Sequence, residues 1–222
     1  QRSPDRPSSD AHLNLEGAAK AAMSDLGEVC IAMHETTDDV GIALWRGTRT
    51  RKNHSSKRDA FTSLNDGPIG IVNENIEWKE KYKPVSDKTV IRSGFDENIA
   101  LVWAHPGLKS EDWENITSSK KGVIVAGTGL GHINSNLLET VGKTAKDMPV
   151  AMSTQCLAGT TNLNVYRNGR ELIEKGVIET YDTLPETALV KMMWLTKHEP
   201  DKVEELMSKN LVGELSNTRK LI

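Results

Sequence analysis

With 222 residues, 37% of them hydrophobic and 27% charged, the chain has the make-up of a globular protein holding one large domain or two small ones. A net charge of -3 gives no bulk attraction to nucleic acid, so an RNA contact would need a local basic patch. No apolar run approaches the roughly 20 residues that span a bilayer and no signal-peptide pattern opens the chain, so a membrane partner is not expected.

Residues 1–9 are rich in Arg, Pro and Ser and read as a loop. Asp10 is placed to cap a helix running to about Leu26, with Leu13, Ala18, Ala21 and Ala22 as a small-residue packing face. Residues 28–33 (Glu-Val-Cys-Ile-Ala-Met) form an almost continuous apolar run, which predicts a strand buried on both faces and hence a parallel sheet. The following His34-Glu35-Thr36-Thr37-Asp38-Asp39 could place a Thr-Asp pair beyond a strand end, but these are also ordinary turn formers, and the turn is favoured. A second strand is expected at 41–46, and 68–72 with 75–78 predict a hairpin.

From Lys79 to Asn98 the sequence turns charged and non-periodic, with Pro84, Asp87 and Gly94, and reads as an interdomain linker (79–97). Beyond it, strands at 99–103, 122–126 and 149–152 alternate with helices opening at Ser110 and spanning 135–146. That alternation predicts βαβ units around a parallel sheet. The last fifty residues read as helical, one amphipathic helix opening at Leu184-Pro185 and another at Pro200. Cys30 and Cys156 stand in apolar, strand-like contexts and are expected as two buried free thiols, as in a reducing cytoplasm.

Two stretches carry chemistry. Lys52 follows a strand and lies among Arg49, Arg51, Lys57 and Arg58, where neighbouring cations favour a neutral amine able to take a proton. A solvated basic loop is the commoner fate of such a charge run. His54, Ser55 and Ser56 have no acid partner at a recognisable spacing, so a Ser-His-Asp assembly is unsupported. Gly127-Thr-Gly129-Leu-Gly131-His132 invites comparison with a dinucleotide fingerprint, but its third glycine should fall where His132 stands. A structural turn at the carboxyl end of a parallel strand, close to a site, is the better reading.

Taken in order, the segments 7–15 (Pro-Ser-Ser-Asp-Ala-His-Leu-Asn-Leu), 26–29, 51–61 (Arg-Lys-Asn-His-Ser-Ser-Lys-Arg-Asp-Ala-Phe), 127–132, 152–156 and 164–170 resemble the L-asparaginase family. Together with 184–194 they look most like the branch that supplies the amidase subunit of archaeal tRNA-dependent amidotransferases.

The resemblance implies a threonine amidohydrolase that releases ammonia from glutamine, or from asparagine, with Lys52 matching the family's proton-transferring lysine. It further implies substrate held between two domains, with His132 and Tyr166 as wall residues. The ammonia would pass to an E-type partner subunit, which engages tRNA(Gln) and uses ATP and Mg, within a heterotetramer built on a homodimer. No cofactor is implied in this chain, and the setting implied is cytoplasmic.

The family's Thr-Gly-Gly-Thr loop and His-Gly-Thr-Asp-Thr motif do not occur in the sequence. They should precede 7–15, so the chain is expected to be the carboxyl-terminal part of such a subunit, lacking the nucleophile and inactive alone. The expected fold is α/β: an incomplete asparaginase-type domain (1–78), the linker, and a smaller parallel-sheet domain (98–222). A missing half predicts exposed apolar surface on the first domain. Two rivals remain, a free cytosolic L-asparaginase and an assembly subunit that has lost its nucleophile.

Overall fold

The computed structural model describes residues 2–63 and 65–216, and the chain divides into two compact units, Gln1–Val90 and Ile91–Ile222.

The first unit opens with helix α1 (Ala11–Ala22). Its cap differs from expectation. Asp10 sits at φ -102°, ψ 0° and makes no side-chain cap bond, because a capping oxygen reaches the helix amides from extended backbone. The Ser9 hydroxyl accepts the Ala11 N–H instead, at 3.2 Å, while buried Asp10 accepts the Arg2 N–H at 2.8 Å. The helix ends four residues earlier than expected, where the Ser24 hydroxyl donates to the Ala21 carbonyl. Its small-residue face allows close packing, and a Cβ on Gly17 would lie 2.7 Å from Ile42.

Strands β1 (Cys30–His34) and β2 (Ile42–Arg46) are followed by the short pair β3 (Arg51–Lys52) and β4 (Phe61–Thr62), then by β5 (Gly70–Val72) and β6 (Ile76–Trp78). The main sheet has the order β1-β2-β5-β6 with every pairing antiparallel. This corrects the parallel, doubly buried strand expected at 28–33. β1 pairs antiparallel with β2 and is only half-buried along most of its length. An apolar run by itself does not distinguish an antiparallel strand from a parallel one. Ile42, Leu44 and Val72 pack beneath α1 with Ala21, and Ala43, Trp45 and Ile71 fill the opposite face. Leu15, Met23, Val29 and Val40 stand exposed on this unit.

The second unit follows the alternation read from the sequence: β7 (Ile99–Trp103), α2 (Ser110–Thr117), β8 (Gly122–Gly127), α3 (Leu138–Asp147) and β9 (Val150–Thr154). Then come α4 (Arg167–Glu174), β10 (Ile178–Glu179), α5 (Pro185–His198) and α6 (Val203–Met207). The sheet order is β10-β9-β8-β7, all parallel, and β8 is buried throughout. One face packs on α5 and α6 through Ile124, Ala151, Met192, Leu195 and Met207. The other packs on α2, α3 and α4 through Val123, Val125, Trp113, Val141 and Leu172.

Helices on both faces of a parallel sheet are the arrangement such buried strands require. β10 corrects the expectation that the last fifty residues are wholly helical, since two residues are too few to show a period of two. At Pro200 a 3-10 turn precedes α6.

The 79–97 segment divides between the units. Gly27 N–H donates to Lys83 O and Val85 N–H to Asp25 O, both at 2.7 Å, so its first part belongs to the first unit. Arg92 pairs with Glu199 at 2.7 Å and Asp96 N–H donates to Met193 O, so its last part belongs to the second. Both cysteines are free thiols, but they are not both buried: Cys30 is half-buried and Cys156 is exposed. Cys156 lies beyond the end of β9, in a turn where its N–H donates to Thr154 Oγ1, and the apolar strand does not extend that far. No helix among the described residues is long and apolar enough to cross a membrane.

Candidate active site

In the first unit the candidate residue is Lys52, on β3. Antiparallel pairing sets Arg51 opposite Thr62 and Lys52 opposite Phe61. The Lys52 side chain is exposed, and its ammonium lies 5.7 Å from the centre of the Phe61 ring, within reach of a cation–π attraction. Lys52 therefore stands at an open edge and is not the floor of a closed pocket among the described residues.

The β3–β4 connection is organised by its own polar side chains. Asn53 N–H donates to Ala60 O at 2.7 Å, and its side-chain amide donates to Arg51 O at 3.2 Å. His54 Nδ1 accepts the N–H groups of Ser56 and Lys57, each at 3.1 Å, so His54 acts as a turn former. At the base, buried Arg49 pairs with Asp66 at 2.6 Å. Farther along, Arg58 pairs with Asp39, and its Nη2 donates to Ser8 O at 2.9 Å.

Asp39 also faces Nε2 of His34 at 3.3 Å, and Nδ1 of that buried imidazole lies 2.7 Å from Asn14 Oδ1 on α1. Residues 35–40 form an exposed turn in which Asp38 N–H donates to Thr36 Oγ1, so the turn reading of Thr37-Asp38 stands. The sequence reading missed Asp39, His34 and the tether made by Arg58. No spacing rule joins residues 19 apart across a turn and a hairpin.

In the second unit, loops leaving β7, β8 and β9 gather at the carboxyl ends of the strands, where open α/β sheets bind ligands. The 127–132 segment is a tight turn: Thr128 N–H donates to His132 O at 2.8 Å, and His132 N–H returns to Thr128 O at 2.9 Å. Gly129 and Gly131 have φ of +52° and +100°. At Gly131 a side chain would be both strained and crowded, with Leu163 and Met152 atoms 3.0 Å from a Cβ.

Gln155 ties this turn to its neighbours, donating from Nε2 to Ala126 O and from its N–H to Gly127 O, each at 2.8 Å. His132 and Tyr166, both implied as wall residues by the resemblance, meet edge to face with ring centres 5.1 Å apart. Tyr166 is exposed, and His132 Nε2 is a buried nitrogen with no partner among the described residues. A buried polar atom left without a protein partner is a place where a ligand or water completes the site.

These features define an α/β chain with an antiparallel first unit and a parallel second unit carrying glycine-rich turns at its strand ends. The chain belongs to the asparaginase family. Residues 1–84 match the model "Asparaginase, N-terminal" and residues 98–207 the model "Glutaminase/Asparaginase C-terminal domain".

Among curated proteins it is 42% identical over 217 residues to the D-type subunit of glutamyl-tRNA(Gln) amidotransferase from Thermoplasma acidophilum, covering 97% of this chain and 53% of that one. The corresponding D-type protein of Saccharolobus solfataricus is 43% identical over 226 residues, with 97% and 51% covered. The chain thus spans about half the length of the curated relatives it matches. Among solved structures, the thermostable L-asparaginase from Thermococcus kodakarensis superposes with a TM-score of 0.88 at 30% identity, covering 96% of this chain and 65% of that one. L-asparaginase I from Vibrio cholerae gives 0.82 at 28%, with the same coverage.

Proposed function

We propose that the chain forms part of the glutamine-hydrolysing subunit of a tRNA-dependent amidotransferase, with Lys52 as a proton-transfer residue. The observation that carries this reading is the identity of 42–43% across 97% of the chain to D-type amidotransferase subunits, against 28–30% for the L-asparaginases. In this reading a threonine attacks the side-chain amide carbon of glutamine, the C–N bond breaks, ammonia leaves, and water releases glutamate from the acyl-threonine. Lys52 moves the proton that the attacking hydroxyl gives up.

Neither family threonine motif occurs in the sequence, so these 222 residues supply no nucleophile of their own. His132 and Tyr166 contribute to the wall around the substrate. The ammonia is consumed by an E-type partner protein, which binds ATP, Mg and tRNA(Gln) and converts Glu-tRNA(Gln) to Gln-tRNA(Gln) in the cytoplasm.

The test uses the assembled amidotransferase whose amidase component carries this sequence. Lys52→Met is expected to cut glutamine hydrolysis by about 100-fold or more, the size of effect that follows loss of a proton-transfer group. Near-normal turnover in that variant would take Lys52 out of the mechanism. Steady asparagine hydrolysis without any partner would favour the free asparaginase instead.

A further inference from the structure

If Lys52 has the role just assigned to it, something must hold its strand in place, and the inference drawn from the geometry rests on that role. β3 and β4 are paired over two residues each, and a two-stranded ribbon that short is not stable by itself. Its geometry must come from tethers to the rest of the first unit. One lies at the base, where buried Arg49 meets Asp66. Another lies in the 53–60 connection, where the largely buried Arg58 side chain (13% exposed) reaches out of the hairpin.

Arg58 Nη1 meets the carboxylate of Asp39, and Nη2 donates to the backbone carbonyl of Ser8. It therefore joins the hairpin to two separate elements, the β1–β2 turn and the lead-in to α1. Asp39 is itself backed by His34 on β1, whose other nitrogen lies 2.7 Å from Asn14 on α1. The chain of contacts runs from α1 through His34, Asp39 and Arg58 to the strand pair that carries Lys52. A planar guanidinium suits this task because its two outer nitrogens engage two acceptors at fixed angles, which a single ammonium does not.

We infer that Arg58 is a positioning residue for Lys52: held by Asp39 and Ser8, it fixes the β3–β4 hairpin so that the amine meets the reacting threonine. It need not touch substrate. Losing it should let the hairpin move without unfolding the unit, and misplacement of a catalytic group by a fraction of an ångström costs turnover more than binding.

The experiment compares Arg58→Leu and Arg58→Lys with the parent in the assembled amidotransferase. Arg58→Leu is expected to lower kcat for glutamine hydrolysis by about 10-fold while KM stays within about 2-fold, with Arg58→Lys in between. Amide hydrogen exchange supplies a readout that does not depend on catalysis. The Asn53, Ser56 and Lys57 N–H groups, all bonded within the connection, should exchange about tenfold faster in Arg58→Leu, while Ile71 and Val72 in β5 are unchanged.

Faster exchange across the whole first unit, with kcat per folded protein unchanged, would make Arg58 merely structural and overturn the inference. Unchanged exchange at those three amides would do the same. If Arg58→Leu yields no folded protein, Asp39→Asn replaces it, since that variant keeps the Ser8 contact, and the same pattern is expected at smaller size. Lys52→Met serves as the separate control. Normal turnover in it removes the assigned role of Lys52, whereas its failure beside a normal Arg58→Leu removes this inference alone.

Discussion

At the entrance to β7 the carboxylate of Asp96 collects three donors. The Lys121 ammonium lies at 2.7 Å, the Asn98 N–H at 3.0 Å and the Asn98 side-chain amide at 2.9 Å. The Lys121 contact and, after it, the Asn98 N–H hold the carboxyl at a pKa of about 2, below its ordinary 3.8. Because the folded-state value is depressed, the contribution to stability is fully present above the unfolded value near 3.8 and is lost as pH falls through about 2. Asp96→Asn removes that titration. The variant should be less stable than the parent at neutral pH, and the gap should close as the pH drops from about 4 toward about 2. Urea midpoints measured across that range check this, and a gap that stays constant would assign the effect to something other than ionisation. The residue was legible only as part of a charged stretch, because nothing in its spacing from Lys121 announces a pair.

Among the elements, α5 carries the most telling discrepancy between pattern and packing. Its start at Leu184-Pro185 and its apolar run of Met192, Met193 and Trp194 could be read directly, since proline at the first helical position and apolar spacing are local signals. Buried Lys191 was not legible, since its partner comes from a later, irregular segment. The ammonium lies 2.7 Å from Glu214 and donates to Met207 O at 3.1 Å. Glu214 also accepts the Val212 N–H at 2.7 Å. Burial alone would raise the Glu214 carboxyl, but the Lys191 ammonium and the Val212 N–H outweigh it and hold it below the ordinary range.

This pair, together with Ser216 donating its N–H to Asp182 at 2.8 Å, ties the segment after α6 to α5 and to the turn that precedes it. Lys191→Met leaves a buried carboxylate without its counter-charge and should cost about 3 kcal/mol in the unfolding of the second unit, measured by denaturant titration. A Lys191→Met/Glu214→Leu double variant should recover most of that loss, because the cost lies in the unpaired charge more than in the absent pair. A double variant less stable than the single one would contradict this. The same contrast explains the strands. β7, β8 and β9 were legible because strands buried on both faces print long apolar runs. β1 was misassigned because an antiparallel, half-buried strand can print the same run.

For the molecule as a whole, the boundary was legible as a change in texture, and its chemistry was not. Charge, Pro84 and Gly94 marked 79–97 as irregular, but not that its first residues would be bonded to the 25–27 turn and its last to α5. Likewise, the glycine turn at 127–132 followed from local signals, whereas the meeting of His132 with Tyr166 and the contact of Arg58 with Asp39 depend on tertiary structure. The division between units after Val90 leaves residues 85–91 exposed and without regular structure. Proteases cut where several residues can be drawn out of the fold without breaking buried contacts.

Lys88 meets that condition. Its side chain is exposed, and it sits between the Val85 bond to Asp25 and the Arg92 pair with Glu199. Limited trypsin digestion should therefore cleave first after Lys88, giving fragments 1–88 and 89–222, each surviving well beyond the loss of the parent band. Cleavage at Arg92 should lag, because its guanidinium is held by Glu199, and Arg92 should become the faster site only when Glu199→Gln weakens that hold. First cuts at Lys20 in α1 or Lys191 in α5 would mean that the units open before the connection does, and would contradict two separately packed cores.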